Sequence, residues 1–228
     1  MKQILISILI RTYNAAQFVD AALGSALFQT FNKGRYEILV ADDGSTDDTL
    51  VRLERYGNRI RVLRNKHIGP IPLINMGLRH ARGDHVLLLD SDDVLKSRAL
   101  ETLYAAYLQS PHAAFVYSDY TERDMKGRTI DISVGDNIFN TLACGILFKK
   151  DVLFSIGYYD ETLIFPEYDV LIKMDRIGYR GAYVSTSLYE YRRRGASITG
   201  NRETVERGRE QLRKRYGTEF PIRSYLLS

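Results

Sequence analysis

The stretch Asp84-His85-Val86-Leu87-Leu88-Leu89-Asp90-Ser91-Asp92-Asp93 decides how this chain is read. Four consecutive apolar residues between polar neighbours suit a strand buried on both faces, the kind that parallel sheets use. Carboxylates then crowd its carboxyl end. In open α/β sheets ligands sit in the crevice outside the carboxyl ends of the strands, so chemistry is expected at Asp90, Asp92 and Asp93. Packing these acids together is electrostatically costly unless a positive group lies among them, and a divalent cation is the simplest such group.

Working outward, the pattern repeats. Ile4 to Ile10 reads as a buried first strand followed by the loop Arg11-Thr12-Tyr13-Asn14, and apolar residues at helical spacing predict a helix within Ala15 to Gln29. Tyr36 to Ala41 is a second strand that runs into Asp42-Asp43-Gly44-Ser45-Thr46-Asp47-Asp48, with a helix marked by Leu50, Leu53 and Tyr56. Ile60 to Leu63, a helix near Leu73 to Ala81, the opening strand and a helix over Ser97 to Gln109 complete a strand–helix alternation, which predicts a parallel sheet covered on both faces. After Pro111 the rhythm changes. Ala114 to Tyr120 and Arg128 to Val134 read as an antiparallel pair around a turn at Glu122 to Gly127. Beyond them come a short strand at Gly145 to Phe148, helices at Lys150 to Ile156 and Tyr168 to Ile177, a strand at Ala182 to Tyr191 and a basic helix at Glu203 to Tyr216. The fold class expected is α/β, with a mostly parallel central sheet flanked by helices and a smaller antiparallel portion.

Composition bounds the partners. The 228 residues carry 45% hydrophobic and 26% charged side chains, ordinary globular values that argue against disorder. A net charge of +4, with a basic excess after residue 173, fits a phosphate-bearing substrate, an anionic membrane surface or RNA. No RNA-binding module signature accompanies it, so nucleic acid is not expected as a partner. Cys144 is the one cysteine, which excludes an internal disulfide framework; its apolar neighbours predict a buried thiol. The apolar run Ile4 to Ile10 is too short to span a bilayer and has no cleavage signal. A soluble, cytoplasmic protein is therefore expected, and the basic helix offers peripheral contact with the inner face of a membrane. Oligomeric state is not legible.

Each acidic cluster has competing readings. Asp90 and Asp92, one residue apart, suit Mg²⁺ or Mn²⁺, hard cations that take oxygen ligands. A calcium loop would need Gly where Leu95 stands, and no Gly-x-x-x-x-Gly-Lys phosphate loop occurs. The structural alternative has Asp92 or Asp93 beginning a helix. In the second cluster, Ser45 with Asp48 has the capping-box spacing and Asp47 favours a helix N-terminus, whereas Asp42 and Asp43 stand at the strand end, where a carboxylate can accept a ring N–H of a nucleobase.

Taken together, Ser7-Ile8-Leu9-Ile10-Arg11-Thr12-Tyr13-Asn14, Gln29-Thr30-Phe31, Val40-Ala41-Asp42-Asp43-Gly44-Ser45-Thr46-Asp47 and Leu89-Asp90-Ser91-Asp92-Asp93 closely resemble the family 2 glycosyltransferases of GT-A fold. The likeness is spread over residues 4 to 108, with fainter echoes at Gly157-Tyr158-Tyr159-Asp160-Glu161 and Tyr191-Arg192-Arg193. It implies an inverting transferase using a nucleotide-diphosphate sugar, with UDP favoured, and Mn²⁺ or Mg²⁺. Residues 1–112 would then form a nucleotide-sugar-binding half, and residues 113–228 an acceptor-binding half ending in the basic helix, within one GT-A domain. The resemblance makes Asp43 a base-binding acid, places Arg11 and Thr12 beside the nucleotide, sets Asp90 near the ribose or a metal-bound water, and makes Asp92 the principal metal ligand. Asp93 has no settled role.

Two departures matter. The family usually supplies its catalytic base as an Asp after a Glu, and here that pair has become Pro166-Glu167, with Asp169 as competitor. Glu167 is expected to be the base, and Asp169 to charge the first helical turn. Where many relatives have a metal-approaching His, this chain has Arg194, whose fork suits diphosphate oxygens. His67, Gly69 and Asn75 lie where the family puts a loop near the nucleotide; His67 or Lys66 could supply the basic residue that loop often carries where Ile74 stands here, or serve the surface, and Asp119 is a weaker candidate to face the donor sugar or acceptor. The acceptor, a saccharide or lipid-linked sugar as in cell-envelope polysaccharide synthesis, is not legible, and the absence of Trp argues against the late Gln-x-x-Arg-Trp element of processive members. The altered base leaves a non-catalytic nucleotide-sugar-binding module as one alternative, and the metal carboxylates leave a nucleotidyltransferase as another.

Overall fold

The computed structural model describes residues 3–135, 139, 144–193 and 201–217. In chain order the elements are β1 (Ile6–Thr12), α1 (Val19–Leu27), β2 (Tyr36–Asp42), α2 (Thr49–Glu54), β3 (Arg61–Arg64), α3 (Pro70–His80), β4 (His85–Asp90), β5 (Val94–Leu95), α4 (Ala99–Gln109), β6 (Phe115–Arg123), β7 (Thr129–Ile132), β8 (Leu147–Lys149), α5 (Lys150–Ser155), α6 (Pro166–Arg176), β9 (Gly181–Arg192) and α7 (Arg202–Tyr216). The strands form one sheet in the order β3-β2-β1-β4-β8-β6-β9-β5, with β7 paired to β6. This is the expected α/β architecture.

The first half is parallel throughout: β1 lies between β2 and β4, and β3 flanks β2. Side chains along β1, β2 and β4 are buried nearly end to end, as the apolar runs require. Register then sets the site. Thr12 pairs with Asp42 and Arg11 with Asp90, so four polar residues from three strands line up at one end of the sheet. Pro70 enters α3 in its first turn, where the missing N–H costs no helical bond.

Polarity becomes mixed beyond β4. Strand β8 runs antiparallel to both β4 and β6, the β6–β7 pair is the antiparallel hairpin expected, and β9 returns parallel to β6. The hairpin turn is tighter than expected, because β6 continues through Arg123 before turning at Asp124 to Gly127. Strand β5 was not anticipated; its two residues pair with Glu190 and Tyr189 of β9, bringing that strand against the segment after Asp90. A small second core of Leu163, Phe165, Tyr168, Ile172, Val205 and Leu212 joins α6 to α7. Among the described residues no helix is long and apolar enough to cross a membrane.

Candidate active site

At the carboxyl end of β2, Asp42 is fully buried and accepts hydrogen bonds from the Gly44 and Ser45 N–H groups, both at 3.0 Å, and from the Ser45 hydroxyl at 2.6 Å. Gly44 sits at φ 77°, and a Cβ there would lie 3.0 Å from both Asn65 O and His67 N, so this turn packs directly on the loop before α3. Asp43 fastens that loop from the other side, accepting from Ile68 N–H at 2.7 Å and Gly69 N–H at 3.0 Å, with His67 Nδ1 at 3.2 Å. The exposed His67 ring lies against Tyr13 in a tilted contact, ring centres 4.3 Å apart, and Lys66 is exposed.

The capping-box expectation is overturned. Helix α2 begins only at Thr49, and the Ser45 hydroxyl is already given to Asp42 while accepting from Asn14 N–H. Asp47 does act structurally, accepting from Thr49 N–H at 2.9 Å and Ala16 N–H at 3.1 Å.

The end of β4 is arranged differently. One carboxylate oxygen from each of Asp90, Asp92 and Asp93 lies within 4.8 Å of the others. The Arg11 guanidinium grips Asp90 through two donors, Nε and Nη2, the latter at 2.9 Å. Asp93 is almost wholly buried and accepts from the Tyr189 hydroxyl at 2.6 Å and from Arg192 N–H at 2.7 Å. Burial, then the charges of Asp90 and Asp92, push its carboxyl well above the usual range. No helix follows Asp93 directly, since β5 intervenes, so it is not a helix cap. The acid instead ties the turn after β4 to the end of β9. Asp92 is partly exposed beside it.

Helix α6 places its two acids in opposite settings. Glu167 is partly buried, and burial pushes its carboxyl up to about 7, against the pull of its own backbone N–H and of Arg11. Asp169 is fully buried and held by Lys173 at 2.7 Å, by Arg215 at 3.1 Å and by the Tyr216 hydroxyl, which brace α6 to α7. The structure thus brings Arg11, Thr12, Asp90, Asp92 and Glu167 towards one end of the sheet and turns Asp169 away into a brace. Arg194 lies outside the described residues.

Several partners escaped the sequence reading. Asn75, buried on α3, donates to Tyr159 O at 2.8 Å and to Glu161 at 2.9 Å, and accepts from Tyr159 N–H at 3.0 Å. It fixes the segment that carries Tyr159, a buried tyrosine whose hydroxyl has no hydrogen-bond partner among the described residues and whose phenol is pushed up by burial and by neighbours that include Cys144 and Glu167. The Thr12 hydroxyl is likewise buried with no partner among the described residues. Cys144 is partly buried, with its thiol pushed up by burial and by Asp90. Asp119 serves the sheet: it accepts from Tyr183 hydroxyl and Val134 N–H, both at 2.7 Å, where the β6–β9 register shifts.

An α/β sheet with acids at the ends of the two strands flanking β1, and a further carboxylate near Asp90, is the layout of a nucleotide-sugar transferase of GT-A type. Residues 7–155 match the model of Glycosyl transferase family 2, and the chain belongs to that family. It is 27% identical over 221 residues to Glycosyltransferase GlyG of Streptococcus pneumoniae serotype 4, covering 85% of this chain and 72% of GlyG. Among solved structures it resembles S. aureus TarS 1-349 in complex with UDP-GlcNAc, with a TM-score of 0.71 and 26% identity, over 85% of this chain and 60% of that one. It also shares the fold of the mannosyltransferase PcManGT from Pyrobaculum calidifontis, in complex with GDP-Man and Mn²⁺, with a TM-score of 0.73 and 16% identity over 98% of this chain and 68% of that one. The chain spans well under two thirds of several longer relatives, such as 27% of an Escherichia coli chondroitin synthase.

Proposed function

We propose that this chain is an inverting, divalent-metal-dependent glycosyltransferase that moves a sugar from a UDP-sugar to an acceptor hydroxyl. The observation that carries the reading is the grouping of Asp90, Asp92 and Asp93 at the end of β4 with Glu167 in electrostatic reach of Asp90 and Arg11. The donor set fits a hard cation, because all three ligands are carboxylate oxygens and their mutual repulsion calls for positive charge. Asp92 is the principal ligand on this reading and Asp90 its helper, while Asp93, engaged by Tyr189 and Arg192, shapes the turn. When bound, Mn²⁺ or Mg²⁺ would neutralise the diphosphate as charge gathers on the leaving oxygen.

The remaining chemistry falls to the chain. Asp43 and the Tyr13–His67 pair form the nucleoside end, where the carboxylate retains lone-pair capacity for a base N–H. Arg11 and Thr12 adjoin the donor. Glu167, with a carboxyl near 7, takes the proton from the acceptor hydroxyl as its oxygen bonds to the anomeric carbon and the bond to diphosphate breaks. Asp169 is the brace that holds α6 in place. The relation to TarS, whose structure holds UDP-GlcNAc, makes that donor the first to test.

The test is turnover of UDP-, GDP- and dTDP-sugars with Mn²⁺ over an acceptor panel, beside Asp92→Ala. Losing a metal ligand removes several kcal/mol of charge stabilisation, so the variant should be slower by about 100-fold or more. The reading fails if no donor binds or turns over and Asp92→Ala changes nothing. Donor binding without turnover on any acceptor would instead favour a non-catalytic module.

A further inference from the structure

Arg11 occupies an unusual place. It is the direct neighbour of Asp90 across the parallel β1–β4 pair, so the sheet itself fixes the two backbones side by side. Its fork closes on both oxygens of the Asp90 carboxylate. A bidentate guanidinium–carboxylate contact is among the stronger ion pairs, and here it supplies positive charge among three acids that otherwise repel. Whichever Asp90 oxygen joined Asp92 and Asp93 around a divalent cation would therefore be one that Arg11 already holds. Guanidinium and cation compete for it. Next to Arg11 in β1 the Thr12 hydroxyl, and in electrostatic reach of Arg11 the Tyr159 hydroxyl, are buried without a partner among the described residues, which leaves both able to meet a polar ligand.

The geometry points to Arg11 as an exchangeable counter-ion: it neutralises Asp90 until a divalent cation takes that carboxylate, and is then released to the anionic donor. This rests on the metal-dependent reading above and adds a direction to it. An arginine that only helped to hold substrate would leave metal affinity unchanged, and one that buttressed the metal site would weaken it when removed. An exchangeable counter-ion does the opposite, because removing it leaves the acids more negative and free of a competitor.

The experiment is Mn²⁺ titration of the full chain by electron paramagnetic resonance, with and without UDP, for the wild type, Arg11→Gln and Arg11→Lys. Without nucleotide, Arg11→Gln should bind Mn²⁺ about tenfold more tightly than wild type, while its affinity for UDP in saturating Mn²⁺ falls by a similar factor. Arg11→Lys, with the charge but without the fork, should lie between them. Should Arg11→Gln fail to fold, the Arg11 Nε–H resonance of the wild type is followed as Mg²⁺ is added in the presence of UDP, where it should shift as the Asp90 contact is lost. Unchanged or weaker Mn²⁺ binding in Arg11→Gln, or an unmoved Nε–H resonance in a protein that binds the metal, overturns the exchange alone. A wild type that binds no divalent cation even with UDP overturns the metal-dependent reading, and the exchange falls with it.

Discussion

The turns after β2 and β4 stand two strands apart at the same end of the sheet and are built from the same residue type, yet their carboxylates are treated in opposite ways. Asp42 and Asp43 are both buried and surrounded by neutral donors: four backbone N–H groups and a serine hydroxyl. Their charge is spread over hydrogen bonds that order a turn and the loop beside it; Asp42 is spent on that task, whereas on the proposed reading Asp43 keeps lone pairs for the nucleoside. Asp90, Asp92 and Asp93 face one another, and burial together with the charges of Asp90 and Asp92 disfavours the Asp93 anion despite the Tyr189 hydroxyl and Arg192 N–H it accepts from. Helix α6 repeats the contrast within one turn, with Asp169 caged by two cations and a tyrosine while Glu167 is left to its burial. Acids ringed by donors hold the fold first; acids set against one another, or raised by burial, are the ones the proposed reading gives to metal and proton.

The sharpest test of this division lies at Glu167. Replacing it with Gln should lower kcat by about 10² to 10⁴, the usual contribution of general-base catalysis. Wild-type kcat should rise with pH through about 7 and then level off, since the base must be deprotonated to act. That limb should vanish in the variant. Stability should move the other way. A carboxyl raised from 4.5 to about 7 binds more protons folded than unfolded between those values, so the native state loses stability as pH rises through that window. Glu167→Gln should therefore be more stable than wild type at pH 8, by an amount on the order of 1 to 3 kcal/mol in denaturant titrations. A variant that lost stability as well as activity would place Glu167 with the compensated acids.

The first half of this division was legible because it is written locally. The apolar runs of β1, β2 and β4, and the acids that end β2 and β4, lie in short stretches whose periodicity reports burial directly. The other partners were not. Arg11 and Asp90 are 79 residues apart, Asp93 and Tyr189 are 96 apart, and only strand register brings them together. Strand β5 is two residues long and exists because β9 arrives beside it, which no local propensity records. The Ser45–Asp48 spacing misled for a related reason: the hydroxyl that would cap a helix was claimed by Asp42, a competition that spacing alone cannot rank.

Next in size is the effect of Asp169→Ala. It strands Lys173, leaves Arg215 to Asp160 and removes an acceptor from Tyr216, loosening α6 from α7. Breaking a buried pair by removing one partner costs about 3 to 5 kcal/mol, and because Lys173 and Arg215 retain some contact with water, about 3 kcal/mol is expected in urea unfolding. Activity per folded molecule should change little beside the Glu167→Gln loss. Were kcat to collapse while stability held, the roles of the two acids on α6 would be exchanged.

The smallest effect is expected at Asp42, and it examines the compensated class where it adjoins the site. Asparagine can keep one acceptor oxygen for the Ser45 hydroxyl, but it places an amide where the Gly44 and Ser45 N–H groups now donate to the other oxygen. Buried donors without a partner cost about 1 to 3 kcal/mol, and relaxation of a short turn around Gly44 should keep the loss at about 1 to 2 kcal/mol. Because Asp42 orders the turn and does not itself face the donor on this reading, Mn²⁺ affinity should be unchanged and UDP affinity altered by no more than about threefold, a difference of roughly 0.7 kcal/mol. Loss of UDP binding with unchanged thermal stability would mean that Asp42 faces the nucleotide through its charge, and that the two strand ends differ in degree and not in kind.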